Sequence, residues 1–348
     1  MSSDSSDSSA DPRQDQLRHW LDSTLRLPDF AIAPASSDAS FRRYFRLSLA
    51  APCERAPGEA TLIAMDAPAP HEDCRPFVHV AKLLGAAGVH APRVLASDLE
   101  RGFLLLTDLG RTTYASALDD ASAHALYLDA FDALIRWQGA TREGELPPYD
   151  EALLRRELML FPDWYVARHL GHTPTPAERA TLDAAFDALI ANALSQPRVY
   201  VHRDYHSRNL MVCTPNPGVL DFQDAVLGPI TYDLVSLLRD AYVEWSEERE
   251  LDWAIRYWER ARRAGLPVAA DFTGFWRDYE WMGVQRQLKV LGIFARLKHR
   301  DGKDRYVDDM PRVLRYLRRA CARYREFAAL SRLLDALEGC APGFAHSF

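Results

Sequence analysis

Apolar positions change rhythm about a third of the way along the chain. Up to Thr107 they gather in short runs of strand length, and from Tyr114 onward they recur every three or four residues, like the buried stripe of a helix. Before the change, Leu17, Trp20, Leu21 and Leu25 mark an opening helix over Asp15 to Leu25. Pro34 to Ser40 is a loop of small residues. Phe41 to Leu47, Thr61 to Met65 and Gly102 to Thr107 are strands, with a helix over Pro76 to Leu84. After the change, helices are predicted over Ala125 to Trp137, Leu153 to Phe161, Pro176 to Ala193, Trp253 to Ala264, Phe275 to Leu297 and Pro311 to Leu337. This divides the chain into a tail (1–15), a sheet-bearing small lobe (16–108) and a mostly helical large lobe (109–348). The fold class is α+β and bilobal, without internal repeats.

Composition agrees with that division. A chain of 348 residues with 48% hydrophobic residues can bury two cores. The five cysteines are scattered, odd in number and without a Cys-x-x-Cys pair, so neither a disulfide framework nor a zinc site is indicated. A reducing cytoplasm is the simplest home. No run of eighteen apolar residues exists, and the polar, acidic start is unlike a signal peptide. The tail is expected to be disordered. No nucleic-acid-binding motif, membrane segment or obligate protein partner is indicated. The net charge of −7 hides an asymmetry: from Leu251 onward 19 Lys and Arg stand against 12 Asp and Glu, so that part carries +7 and the first 250 residues carry −14. A basic wall there suits an anionic small molecule. Arg312, Arg315, Arg318 and Arg319, on one helix, are expected to form mainly solvated faces.

The densest set of reactive side chains is His202-Arg203-Asp204-Tyr205-His206-Ser207-Arg208-Asn209, followed by Asp221 in Val219-Leu220-Asp221-Phe222. Val199 to Val201 and Leu210 to Val212 are β-prone, and Thr214 to Gly218 is a turn leading to the strand that carries Asp221. An Asp and an Asn five positions apart, with an Asp from a neighbouring strand, supply one group for an acceptor hydroxyl and two for Mg²⁺. Those are the parts of a phosphoryl-transfer site. A solvated loop followed by an ordinary hairpin is the competing reading.

The set resembles the kinase-like phosphotransferase superfamily that includes the aminoglycoside and choline kinases. Gly228-Pro229-Ile230-Thr231-Tyr232-Asp233-Leu234 is similar to that group's Gly-Pro-x-x-Tyr-Asp segment. The resemblance implies a protein-kinase-like, aminoglycoside phosphotransferase-like fold: an antiparallel sheet plus helix in the small lobe, with ATP and Mg²⁺ as cofactors. It makes Asp204 the base, Asn209 and Asp221 the metal ligands, and His202 and Asp233 structural braces of the loop. A carboxylate at a helix start, as at Asp233, also accepts orphan N–H groups there. Asp224 is read as a turn residue. Ser36, Ser37, Asp38, Ala39 and Ser40 would cover the phosphates, and Thr107 and Asp108 belong to the ATP-binding set. One departure is plain: the strand over Leu62 to Asp66 lacks the usual Lys, and its helix Glu partner, which would fall near Phe77, is missing too. Arg43 is the first candidate stand-in, then Arg42 or Arg46; alternation alone does not say which faces inward.

Three further segments narrow the resemblance: Ser37 to Arg46, Met65-Asp66-Ala67-Pro68, and Gln285 to Phe294. They look like the bacterial N-acetylmuramate/N-acetylglucosamine anomeric kinases of peptidoglycan recycling, over about Trp20 to Leu334. That implies an amino-sugar acceptor whose C1 hydroxyl attacks the γ-phosphate. Its carboxylate-bearing form needs a cation; Arg286 and Lys289, three apart on a helix, are candidates, with Arg155, Arg156 and Arg203 competing. Glu157, Asp163 and Trp164 are candidates for sugar hydroxyls and ring. Two alternatives stay open: a choline- or aminoglycoside-type small-alcohol kinase, and a non-catalytic ATP-binding pseudokinase.

Overall fold

The computed structural model describes residues 11–37, 41–68 and 71–339, except for the side chains of Ser36 and Ser37. The chain forms two compact units: Met1–Gly85 with Ala91–Gly110, and Ala86–His90 with Arg111–Phe348.

The first unit is a five-stranded antiparallel sheet, order β1-β2-β3-β5-β4, built from β1 (Phe30–Ser37), β2 (Arg43–Leu49), β3 (Thr61–Asp66), β4 (Val94–Asp98) and β5 (Phe103–Thr107). Helix α1 (Pro12–His19) precedes it and α2 (Arg75–Ala86) follows β3. Period-two alternation puts Phe45, Leu47, Leu62, Ala64, Phe103 and Leu105 on one face, where Leu17, Trp20 and Leu21 close the core. The expected tail end at residue 15 is too late: α1 starts at Pro12, capped by the Asp11 carboxylate on the Arg13 and Gln14 amides. β1 and β4 were not foreseen. β1 runs through Pro34 to Ser37, where a loop was expected, because Pro34 falls beside a bulge in the pairing with β2.

The second unit is mostly helical: α3 (Tyr114–Ala117), α4 (Ala123–Gly139), α5 (Glu151–Leu158), α6 (Pro176–Ser195), α7 (Tyr232–Leu238), α8 (Glu247–Arg263), α9 (Phe272–His299), α10 (Met310–Arg323) and α11 (Ala328–Leu337). The helix expected to end at Phe161 instead widens there, and Phe161–His169 continues with π-type bonding, Leu170 N–H reaching the Tyr165 carbonyl at 3.0 Å. The single helix expected over Pro311 to Leu337 breaks at Tyr324, whose extended backbone sends its hydroxyl to Glu280 at 2.8 Å. No helix among the described residues is long and apolar enough to cross a membrane.

Helix α9 is the axis of this unit. Every residue from Tyr279 to Gly292 is buried, polar ones included. Two glycines make that possible. A Cβ at Gly292 would stand 2.4 Å from the Leu160 carbonyl carbon, and one at Gly283 would stand 2.7 Å from Arg239 Nη1. Arg239 is 0% exposed and bonds Glu250 at 2.6 Å and Glu280 at 3.0 Å. Arg319 and Arg323 reach the same two carboxylates from α10. Part of the basic C-terminal third is therefore engaged by carboxylates of the fold. Arg312 pairs with Asp309, Arg315 with Glu244 and Arg318 with Asp335. Much of the positive charge that suggested a basic wall, and the solvated faces expected of α10, is matched by carboxylates within the fold.

Candidate active site

The loop from His202 to Asn209 joins β6 (Arg198–Val201) to β7 (Leu210–Met211). β6 pairs with β9 (Val226–Pro229), and β7 pairs with β8 (Gly218–Val219). Apolar Val199, Tyr200 and Val201 bury β6, so the polar loop begins where the buried strand ends. Asp221 does not sit on a strand, as the sequence suggested; it follows β8 in a left-handed conformation, φ +61°. Arg203 is left-handed as well, φ +78°. Such backbone costs on the order of 1–3 kcal/mol at a residue other than Gly and persists only where its surroundings fix it.

For Arg203, Asp233 supplies that fixing. Its buried carboxylate accepts the His202 N–H at 2.7 Å and the Arg203 N–H at 3.0 Å. The amides it accepts from belong to the loop and not to its own helix, α7. Burial lifts its pKa to about 7 against the pull of the two amides. His202 is fully enclosed, and burial drops its pKa to about 4, so the imidazole is neutral; its Nδ1 accepts the Asp204 N–H at 3.3 Å. A brace the sequence reading missed is Asp240, buried after α7, which accepts the Ser207 N–H at 2.8 Å and the Tyr242 N–H at 2.8 Å. Only its place just after a short apolar helix, where a buried carboxylate needs partners, hinted at it.

These braces bring the three central groups together. Asn209 Nδ2 donates to the Asp204 carbonyl at 3.0 Å and to Asp221 Oδ2 at 3.3 Å, and Gln223 Nε2 donates to Asp221 Oδ1 at 2.9 Å. With its amide nitrogen so engaged, Asn209 presents Oδ1 as an acceptor. A carboxylate beside an amide oxygen is a hard donor pair of the kind Mg²⁺ takes together with substrate phosphates, so a cage of three acidic or imidazole ligands, absent among the described residues, is not required. The Asp204 carboxylate makes no hydrogen bond with the described residues. Burial alone would raise its pKa, but Lys289, His206, Arg203 and Arg286 outweigh that and hold it below the ordinary carboxylate value. It is an anion at neutral pH.

The acceptor candidates fare differently. Glu157, expected at sugar hydroxyls, is 4% exposed and bonded by Arg203, Tyr149, Lys289 at 3.0 Å and Gln285 at 3.4 Å. It holds the loop's arginine instead. Lys289 is committed likewise, to Glu157 and to the Tyr232 hydroxyl at 2.9 Å. Arg155 pairs with Asp187 at 2.5 Å. Arg286 is buried without such a partner among the described residues. Trp164 is half-exposed and lines a shallow surface hollow with Asp163, Ala167 and Arg168. Asp224 is an exposed turn residue whose carbonyl accepts Arg203 Nη1 at 3.2 Å.

In the sheet unit, Asp38, Ala39 and Ser40, and the side chains of Ser36 and Ser37, lie outside the described residues. Arg43 shares the α1-covered face with Phe45 and Leu47 and is paired there with Asp11 and Asp66. That overturns its placement as the first stand-in for the missing Lys. Arg46, on the opposite face, is taken up by Asp108 at 2.5 Å. Arg42 pairs at 2.9 Å with Glu72, three residues ahead of α2. The Thr107 hydroxyl accepts the Arg93 N–H at 2.9 Å, so it and Asp108 both serve to hold the chain.

Residues 31–272 match the phosphotransferase enzyme family. Over 339 residues the chain is 54% identical to the N-acetylmuramate/N-acetylglucosamine kinase of Pseudomonas aeruginosa, covering 94% of this chain and 98% of that one. It is 50% identical over 338 residues to the kinase of the same name from Pseudomonas putida, covering 94% and 97%. Among solved structures, the gentamicin complex of the aminoglycoside phosphotransferase APH(2'')-IIa superposes with a TM-score of 0.56 at 12% identity, over 86% of this chain and 95% of the other. That likeness concerns the bilobal kinase-like fold.

Proposed function

The chain belongs to the phosphotransferase enzyme family, and from that premise we propose that it moves the γ-phosphoryl group of ATP to the anomeric C1 hydroxyl of N-acetylmuramate, N-acetylglucosamine or both. The observation that carries this reading is the convergence of Asp204, Asn209 and Asp221 on one braced loop and its neighbouring hairpin. Asp204, ionised and unbonded, takes the acceptor proton as the C1 oxygen approaches phosphorus. An anomeric hydroxyl is more acidic than an ordinary alcohol, which suits a base whose pKa is depressed. Asn209 and Asp221 would hold Mg²⁺, which when bound neutralises charge on the phosphates. Positioning supplies much of the remaining rate. The reaction belongs in the cytoplasm, where ATP is made, and serves the reuse of cell-wall amino sugars.

The test is the stability of the product. An anomeric phosphate is a labile glycosyl ester, so brief mild acid is expected to release the label transferred from γ-labelled ATP as inorganic phosphate. A product that survives the same treatment carries its phosphate on another hydroxyl, and the C1 assignment falls.

In the sheet unit we assign the role of the missing Lys to Arg42. Its pairing with Glu72 ahead of α2 reproduces a cation held by a carboxylate near that helix. Arg42→Ala is expected to raise the KM for ATP on the order of tenfold or more, the loss of one charged hydrogen bond, with a smaller effect on the sugar KM. Equal ATP affinity in the variant and the parent, measured by titration, would remove Arg42 from the site.

A further inference from the structure

Arg286 stands out from the other buried cations of the large unit. It is 3% exposed, one turn before Lys289 on α9, and its Nη1 is buried without a partner. Arg203, Arg239 and Lys289 each bond a carboxylate; Arg286 makes no hydrogen bond or ion pair with a described residue. An enclosed guanidinium left so is unfavourable, and an arriving anion would relieve it.

The groups that feel its charge locate it. They are Asp204 and His206 on the loop, Asp233 on α7, and Tyr242 just after α7. Neither carboxylate among them is available as a permanent partner. Asp233 has both oxygens on loop amides, and Asp204 is assigned to the acceptor hydroxyl. The complement must therefore come with a ligand. The phosphates of ATP have their own counter-charge where Asn209 and Asp221 would hold Mg²⁺, whereas the charge of Arg286 acts on Asp204, the group assigned to the acceptor.

We propose that Arg286 binds a carboxylate carried by the acceptor sugar, the lactyl group of N-acetylmuramate, through the paired N–H groups of its guanidinium. This rests on the sugar-kinase reading and assigns the carboxylate to Arg286 alone, since Glu157 and Tyr232 occupy Lys289. N-acetylglucosamine, which has no carboxylate, leaves Arg286 without an ionic partner.

The experiment measures kcat and KM for both sugars with the full-length protein and its Arg286→Gln and Arg286→Lys variants, alongside calorimetric titration of each sugar. For Arg286→Gln, kcat/KM with N-acetylmuramate is expected to fall on the order of 100-fold, mostly through KM, and with N-acetylglucosamine to fall far less. Arg286→Lys keeps the charge without the fork and should lie between; if the Gln variant does not fold, the Lys variant carries the comparison. Equal losses for both sugars through kcat would move Arg286 to the transferring phosphoryl or to Asp204 and overturn the proposal. No loss for either sugar, or a parent enzyme that takes N-acetylglucosamine alone, overturns it too. A parent that phosphorylates neither sugar defeats the sugar-kinase reading itself, a result told apart by the parent's own assay.

Discussion

Asp204→Asn is expected to lower turnover by a factor on the order of 10²–10⁴ while leaving nucleotide affinity in place. The substitution keeps the shape of the side chain. It also keeps the backbone bonds of residue 204, which hold the Asn209 amide and the His206 N–H. What it removes is an acceptor of protons that makes no hydrogen bond within the described structure. Loop geometry should therefore survive, and titration with a non-hydrolysable ATP analogue should give the parental Kd. The pH profile follows from the sign of the shift. Because the folded carboxylate sits below its ordinary pKa, it remains an anion as pH falls from neutral and takes a proton only in stronger acid. The acid limb of kcat/KM that reports Asp204 should lie below the usual carboxylate range. Turnover in Asp204→Asn within a few-fold of the parent would end the assignment of Asp204 as base.

The second large effect concerns stability. Arg239→Met leaves Glu250 and Glu280 enclosed without the cation between them, and breaking a buried pair by deleting one partner costs roughly 3–5 kcal/mol. Arg319 and Arg323 still reach these carboxylates from their half-buried positions, so the lower end of that range applies. At about 3 kcal/mol, and about 2–4 °C per kcal/mol for a unit of this size, the melting temperature should drop by roughly 6–12 °C. Replacing Glu250 and Glu280 by Gln in the same variant should recover part of that loss, because the charges that Arg239 served are gone. A thermal melt of Arg239→Met superimposable on the parent would mean that solvent reaches the network after all.

The sequence made the candidate catalytic set legible because Asp204, Asn209 and Asp221 are close along the chain and each proposed chemical role demands a particular residue type. It made the helices legible where apolar spacing was regular, as in α6 and α9. What it hid were long-range pairings. Glu157 looked like a polar group waiting for sugar, and nothing in its neighbourhood announces that Arg203, 46 residues away, and Lys289 converge on it. Arg43 failed for a related reason: alternation gives two faces, and only α1 packed on one of them says which is which. The charge count likewise recorded an excess of arginine without its destination, the carboxylates of Glu244, Glu247, Glu250 and Glu280.

That destination gives the C-terminal helices a particular weakness. Glu244 is held below its ordinary pKa, first by its hydrogen bond to Arg315, so the stability it lends is present above the unfolded carboxylate pKa and vanishes as pH falls through the folded one. In strong acid the Arg315 guanidinium keeps its charge after Glu244 has lost its own. Acid is therefore expected to loosen the tie that Arg315 makes from α10 to the segment just before α8.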